Sequence, residues 1–143
     1  MMKHTILILF LILSLLCHGQ SYKFFTTDRE LSSSLINKIY QDRNGMIWIA
    51  TEDGLNRYDG AKFITYKHDP KNEYSRCHNY VRVLYEDSKG RLFVGTYNGI
   101  QLYDPETDSF SARAQWEDGK TFDSNIMSIL ERRNGEIWVS GNN

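Results

Sequence analysis

The chain has 143 residues, of which 24% are charged and 41% are hydrophobic, and its formal net charge is −1. This balance is that of an ordinary globular protein and provides no basic field for nucleic acid. Tyr, Phe, Ile and Thr are frequent after residue 20, which favours β structure over helix in that part of the chain.

The N-terminal segment differs in composition from the rest of the chain. "MMKH" is followed by the apolar run "TILILFLILSLL" and then by "CHGQ". This order of charged, apolar and small residues predicts a signal helix and a signal peptide over 1–19, with cleavage after Gly19 and export. The apolar run is shorter than the roughly 20 residues that span a bilayer. An uncleaved anchor and a lipoprotein through Cys17 are the alternatives, and Leu16 counts against the second.

From residue 36 onwards the chain repeats itself every 45 residues. The three aligned copies are "INKIYQDRNGMIWIAT", "VRVLYEDSKGRLFVGT" and "IMSILERRNGEIWVSG". The structural columns of the repeat are Gly45, Gly90 and Gly135; Trp48, Phe93 and Trp138; and, in the first two copies, Gly54 and Gly99. Agreement over so many columns without a gap identifies an internal repeat, and the period of such a repeat governs the fold.

Each complete repeat predicts four short strands. In the first copy these are "INKIYQ", "MIWIAT", "LNRYD" and "GAKFITYK", and the turn "DRNG" separates the first two. The second strand is apolar on both faces, as expected for a strand packed between neighbouring sheets. Four-stranded antiparallel units of about 40–45 residues are the blades of a β-propeller. We therefore predict an all-β fold of propeller blades.

The repeats also predict the organisation of the chain. The predicted units are a signal peptide (1–19), an N-terminal strand with a linker (20–33), a first blade (34–77), a second blade (78–122) and a partial third blade (123–143). Tyr22–Thr27 resembles a fourth strand without the first three, which predicts half of a clasp that closes the ring.

The number of blades is too small for a closed ring. The chain holds about 2.5–3 blades, whereas the smallest ordinary propeller has four. We therefore expect a truncated piece of a longer protein, an incomplete propeller with open blade flanks that favour aggregation. A ring completed by several copies is an alternative, and the two strands that the third repeat lacks count against it.

The repeats resemble the two-component regulator propeller repeats. The family pattern of an acidic residue, Gly, an aliphatic–Trp–aliphatic run, Gly-Thr and a later Tyr-Asp stands here as "DRNGMIWIATEDGLNRYD" and "DSKGRLFVGTYNGIQLYD". The departures are Ala50 in place of the Gly before Thr, Phe93 in place of Trp, and Arg132 in place of the acidic residue.

The resemblance implies a function. It implies a non-catalytic periplasmic sensor, the exported N-terminal part of a hybrid two-component system whose full-length relatives carry a histidine kinase and are homodimers. It also implies an oligosaccharide ligand derived from glycans. The residues themselves predict no cofactor, since no Gly-rich phosphate loop is present, and no nucleic acid as a partner of this chain. Contact with a membrane is expected only through the signal peptide or through the C-terminal regions of the relatives.

Candidate ligand contacts lie in the connections between strands, because loops carry function more often than strands do. The residues chosen are Tyr74, Arg76, His78, Tyr97 and Trp116. For each of them, and for the turn residues Glu52, Asp53 and Asn98, a plain surface role is the alternative.

Two other groups of residues have structural explanations. The large rings at Trp48, Phe93 and Trp138 could stack on sugars, but their place in the most apolar strand favours packing between blades. Asp42 and Asp87 could bind a metal, but these turns are too short for a calcium loop and favour Asp as a turn former.

An exported propeller enzyme, a glycan lyase or hydrolase, is the first alternative function, and a protein-binding scaffold is the second. The enzyme would need a pair of acidic residues, which the starts of the first strands (Ser34, Asn37 and His78) do not supply. No nucleophile–base arrangement can be argued either. Removal of the signal would leave Cys77 without a partner for an internal disulfide.

Overall fold

The computed structural model describes residues 22–72, 75, 78–111 and 123–142. The described residues contain ten strands: β1 (Ile36–Gln41), β2 (Ile47–Thr51), β3 (Gly54–Tyr58), β4 (Phe63–Tyr66), β5 (Val81–Glu86), β6 (Leu92–Thr96), β7 (Gly99–Asp104), β8 (Ser109–Phe110), β9 (Asn125–Glu131) and β10 (Ile137–Asn142). Within the same residues, no helix has the length and apolar character needed to cross a membrane. The predicted signal helix lies outside the described part of the chain.

The strands form three antiparallel sheets, one for each repeat. Their orders are β1-β2-β3-β4, β5-β6-β7-β8 and β10-β9. We call these sheets blades 1, 2 and 3. Because neighbours in the sheet are neighbours in sequence, each blade is a simple meander, and short turns are sufficient to connect its strands. The prediction of an all-β fold made of four-stranded propeller blades, with a partial third blade, is confirmed.

The turn between the first two strands is the same in all three blades. Gly45 donates its N–H to the Asp42 carbonyl (2.9 Å), and Asp42 donates its N–H to the Met46 carbonyl (3.0 Å). Gly45 has a φ of 84°, and Gly90 and Gly135 have values of 83° and 84°. A glycine is therefore required at this position, because a side chain strains a left-handed backbone.

The blades pack face against face through two apolar clusters. The first cluster joins blade 1 to blade 2 and contains Trp48, Ala50, Leu55, Val81, Leu84, Leu92, Val94 and Phe110. The second joins blade 2 to blade 3 and contains Phe93, Ile100, Ile126 and Ile129. Every residue of β6 is buried, because blade 2 packs on blade 1 through one face and on blade 3 through the other.

The first strand of every blade carries a β-bulge at the same repeat position. The bulged residues are Asn37, Arg82 and Met127, which have no partner in the register of the adjoining second strand. A bulge redirects the side chain of the extra residue. Asn37 Nδ2 accordingly donates to the Val81 carbonyl of the next blade (2.8 Å).

The N-terminal segment does not form the predicted strand. Residues 22–27 pair with none of the described strands, and a strand forms only where a neighbour takes up its N–H and C=O groups. The segment is held by side chains instead. Phe25 packs on Tyr58 and Phe63, and the Ser32 N–H donates to Asn56 Oδ1 (3.1 Å). The clasp itself stays a prediction.

Candidate functional site

A polar cleft lies between blades 2 and 3, at the edge where their first strands begin. Its volume is about 420 Å³. The residues that line it are His78, Tyr97, Asn98, Asp123, Asn125 and Asn142. They come from the connection before β5, from the β6–β7 turn, from the start of β9 with the residues just before it, and from the end of β10. Neither blade therefore forms the cleft alone.

Aromatic rings form one wall of the cleft. The Tyr97 side chain is 56% exposed, and the centre of its ring lies 5.5 Å from that of His78 and 6.2 Å from that of Tyr80. The Tyr97 N–H donates to the Tyr80 carbonyl (3.0 Å), and the Tyr80 N–H donates to His78 Nδ1 (3.0 Å). These bonds fix the backbone that carries Tyr97, and its exposed ring beside His78 and Tyr80 can stack on an apolar face of a ligand.

Amide groups and one carboxylate form the other wall. Arg82, the bulged residue of β5, donates through Nη1 to Asn125 Oδ1 (3.4 Å). The Asn98 N–H donates to Thr96 Oγ1 (3.1 Å), which fixes the turn that carries Asn98. Amides both donate and accept hydrogen bonds, so this wall is suited to a ligand rich in hydroxyl groups.

The equivalent position between blades 1 and 2 is filled by the protein's own side chains. Asp53 is the repeat counterpart of Asn98. Its carboxylate pairs with Lys67 Nζ (2.6 Å) and accepts from Asn79 Nδ2 (3.1 Å). A variant at this position can therefore serve as a control for a variant in the cleft.

The structure brings two of the predicted ligand contacts together. His78 and Tyr97 share the aromatic wall of the cleft. Tyr74, Arg76 and Trp116 lie outside the described residues. Asn125 and Asn142 were not predicted, because they belong to strand ends whose meeting with the β6–β7 turn depends on how blade 3 packs on blade 2.

The large rings of the repeat occupy two different environments. Trp48 and Phe93 are buried in the clusters between blades, whereas Trp138 is 55% exposed on the uncovered face of blade 3. Trp48 Nε1 donates to Asp42 Oδ2 (2.8 Å), so its polar atom is satisfied inside the cluster. Neither buried ring can contact a ligand.

A second polar cluster joins the outer strands of blades 1 and 2. The Arg57 guanidinium lies 5.6 Å from the Tyr66 ring and 5.8 Å from the Tyr103 ring, and Arg57 Nη1 pairs with Asp108 Oδ1 (2.8 Å). Burial raises the pKa of Tyr66 and raises that of Tyr103 to about 12. Burial opposes ionisation of Asp108, but hydrogen bonds from both tyrosines and the Arg57 charge keep its pKa below the usual value. Such a cluster fastens the two blades together.

The turn aspartates are engaged in the turns that contain them. Asp87 Oδ1 accepts the N–H groups of Lys89 (3.0 Å) and Arg91 (2.8 Å), and Asp42 Oδ1 accepts those of Asn44 (2.9 Å) and Met46 (3.0 Å). In the described ranges, His, Cys, Asp and Glu form no group of three or more that could hold a metal ion. The geometry is that of a structural turn.

A further contact between blades was not predicted. Arg43, in the first turn of blade 1, donates through Nε to Glu86 Oε1 at the end of β5 (2.6 Å). Ser88, in the same turn of blade 2, donates through Oγ to Glu131 Oε1 at the end of β9 (2.6 Å). We call this contact the turn clamp. The repeat alignment places Ser88 in the column of Arg43. These two residue types are so different that the alignment does not indicate that both donate to a glutamate of the next blade.

Comparison with known families agrees with the repeat. A family model described as two component regulator propeller matches residues 30–53 and 75–98. The chain is 38% identical over 73 residues to histidine kinase P4 of Formosa agariphila, an alignment that covers 50% of this chain and 5% of the kinase.

Solved structures show the same fold. The extracellular domain assigned to the hybrid two-component system BT3049 of B. thetaiotaomicron is 29% identical, with a TM-score of 0.69 over 82% of this chain and 17% of that domain. The extracellular domain assigned to the one-component system BT4673 of the same organism is 25% identical, with a TM-score of 0.68 over 86% of this chain and 18% of that domain. The chain therefore spans less than a fifth of each solved domain.

Proposed function

Because the chain carries two-component regulator propeller repeats, we propose that it is part of the exported, ligand-sensing region of such a regulator. Its structural neighbours are extracellular domains of two-component and one-component systems, which supports a location outside the inner membrane. In this proposal the signal peptide over 1–19 directs export, and the kinase of the full-length protein responds to the ligand as a homodimer.

The observation that carries the proposal is the cleft between blades 2 and 3. A positioned aromatic ring faces amides and a carboxylate there. Sugars present apolar C–H faces and many hydroxyl groups, so stacking on Tyr97 and hydrogen bonding to Asn98 and Asn125 would satisfy both. The described lining residues include the carboxylate Asp123, which would repel an anionic ligand, so we propose a neutral oligosaccharide derived from glycans rather than a sulfated or uronic one.

We assign no catalytic step to this chain. Glycoside hydrolysis ordinarily uses two carboxyl groups placed on either side of the scissile bond. Among the described lining residues, four of the six are an aromatic ring or a side-chain amide (Tyr97, Asn98, Asn125 and Asn142) and one is a carboxylate, Asp123. This composition supports binding.

Calorimetric titration would test the proposal. The exported chain would be titrated with neutral probes (xylo-, cello- and malto-oligosaccharides) and with acidic ones (chondroitin and hyaluronan disaccharides). We expect a neutral probe to bind, and we expect Tyr97→Ala to weaken it about tenfold, since loss of a stacked ring costs roughly 1–1.5 kcal/mol.

The matched control is Lys67→Ala, which opens the equivalent position between blades 1 and 2 and should leave the affinity unchanged. Binding of none of the probes, or equal affinity in wild type and Tyr97→Ala, would overturn the assignment of the cleft.

A further inference from the structure

The cleft between blades 2 and 3 contains an amide whose orientation is set by a neighbouring charge. Arg82 Nη1 donates to Asn125 Oδ1 (3.4 Å). A guanidinium has hydrogen-bond donors and no acceptor, and its charge attracts the carbonyl oxygen of an amide and repels the NH2 group. The oxygen of Asn125 therefore faces Arg82. Because Asn125 also lines the cleft, its NH2 group is the part of the amide that is left for a ligand.

The interface between blades 1 and 2 differs at the same repeat positions. Asn37, the counterpart of Arg82, donates to the backbone carbonyl of Val81 (2.8 Å). Tyr80 stands in the column of Asn125, so this interface has no amide at that position. The oriented amide is therefore a feature of the cleft, and the packing of one blade on the next does not require it.

A backbone hydrogen bond joins the two walls of the cleft. The Gly99 N–H donates to the Ser124 carbonyl (2.9 Å). Gly99 begins β7 and follows the turn that carries Tyr97. Ser124 lies between Asp123 and Asn125 in the chain. The aromatic ring on one wall and the NH2 group and carboxylate on the other are therefore carried by segments that are bonded to each other.

We propose that the cleft prefers a neutral oligosaccharide of N-acetylated hexosamines, an inference that rests on the proposed function. The Asn125 NH2 group donates to the carbonyl oxygen of an acetamido group, and the Asp123 carboxylate, which has acceptor positions for several donors, accepts the acetamido N–H. The acetamido methyl group packs on the Tyr97 ring. A hydroxyl group in place of the acetamido group would lack this methyl contact. Arg82 is a positioning residue, because it acts on the ligand through Asn125.

Two probes with the same sugar backbone test this preference. Chitotetraose carries an acetamido group on each sugar where cellotetraose carries a hydroxyl group. Calorimetric titration of the exported chain should show that chitotetraose binds about tenfold more tightly, a difference that roughly one net hydrogen bond supplies. Equal affinities, or tighter binding of cellotetraose, would overturn the inference and leave the proposed function standing. If no neutral oligosaccharide binds, both are overturned.

Arg82→Met tests the positioning role. Met127 occupies the same bulged position in blade 3, so this side chain is compatible with the bulge. The Asn125 amide can then turn, and a hydroxyl group can pair with either end of it whereas a carbonyl oxygen cannot. Chitotetraose should therefore lose about fivefold in affinity and cellotetraose less than about twofold. Arg82→Lys keeps a charged donor and should retain most of the preference.

The matched control is Lys38→Met, which removes the same charge from an exposed position of β1 and should leave both affinities unchanged. Equal losses for the two probes in Arg82→Met are the result expected of a residue that only supports the fold, and they would overturn the positioning role.

Asn125→Asp provides a second readout. Aspartate keeps one oxygen for Arg82 but turns a second oxygen towards the ligand in place of the NH2 group. A hydroxyl group can donate to this oxygen, whereas the acetamido carbonyl cannot. The preference for chitotetraose should therefore be lost, while cellotetraose still binds and so shows that the variant is folded. A variant that prefers chitotetraose as strongly as wild type does would overturn the assignment of Asn125.

Discussion

At the scale of single residues, Gly95 shows how one methyl group decides the fit between two blades. A Cβ at this position of β6 would meet Ile126 Cγ2 at 2.7 Å and Val83 Cβ at 3.2 Å. The repeat counterpart of Gly95 is Ala50, which is buried in one cluster with Val81, the counterpart of Ile126. Valine keeps the Cβ and Cγ2 atoms that the added methyl group would meet, but it lacks the Cδ1 of isoleucine, so it has more room to move away from that methyl group.

Gly95→Ala should therefore destabilise the chain by about 1–3 kcal/mol, because the methyl group forces blades 2 and 3 apart. Ile126→Val alone should cost about 0.5–1.5 kcal/mol. The double variant, which recreates the Ala50–Val81 combination, should cost less than the sum of the two. Urea unfolding of the four proteins measures this coupling, and simple additivity would contradict the steric explanation.

At the scale of elements, a comparison of the hairpin turns shows which groups are needed for the shape of the turn and which groups add to its stability. In the third hairpin Arg132 replaces the aspartate, yet Gly135 still donates its N–H to the Arg132 carbonyl (2.8 Å). An aspartate is therefore not required for the turn, and in this hairpin Asn134 Oδ1 accepts the Glu136 N–H instead (3.2 Å). In the second hairpin Asp87 is buried and also accepts from Arg91 Nε (2.6 Å), so the carboxylate adds stability to a turn already formed.

The carboxylate should make stability depend on pH. Burial opposes ionisation of Asp87, but the hydrogen bonds and charge of Arg91 outweigh it, so the pKa in the folded chain is below the ordinary value. Because folding lowers the pKa of Asp87, its ionised carboxylate stabilises the folded chain at pH values above the pKa of the unfolded chain, about 4. This stabilisation is lost as the pH falls through the pKa of the folded chain. Asp87→Asn should be less stable than wild type by about 1–3 kcal/mol at pH 7.

That difference should begin to decrease as the pH falls below about 4. Chemical unfolding at pH 7, 4 and 3 measures it. The control is Asp28→Asn at an exposed position, which should stay within about 0.5 kcal/mol of wild type at pH 7. A difference for Asp87→Asn that is constant over this pH range would contradict the assigned role of the carboxylate.

At the scale of the whole molecule, stability resides in the contacts between blades. Each blade is a thin sheet without a core of its own, so its apolar residues are buried only by neighbouring blades. Trp48 and Trp138 occupy the same repeat position, but Trp48 is fully buried and Trp138 is more than half exposed. Trp48 is covered by blade 2, whereas no blade among the described residues covers Trp138.

The same substitution should therefore have very different effects at the two positions. Trp48→Ala should cost about 3–5 kcal/mol, the cost of truncating a buried aromatic residue. Trp138→Ala should cost less than about 1 kcal/mol, mainly through the loss of the contact with Arg132. Urea unfolding measures both costs, and equal costs would contradict the different burial of the two rings.

The sequence determined the strands and the blades. "INKIYQ" was predicted as a strand and is β1, and "MIWIAT" differs from β2 by one residue. These elements follow from alternation of apolar residues, a glycine at a left-handed position and a period of 45 residues, all of which are local or repeated signals. His78 and Tyr97 could be chosen as site candidates for a similar local reason, since loops expose their side chains.

The contacts between the blades could be identified only from the tertiary structure. The turn clamp pairs Arg43 with Glu86 but Ser88 with Glu131, and the bulged positions carry Asn, Arg and Met, so neither has a shared residue type to recognise. The cleft likewise needs Asn125 to meet Tyr97 from another blade. Such contacts depend on how two sheets are placed against each other, and a pattern within one strand carries no information about that placement.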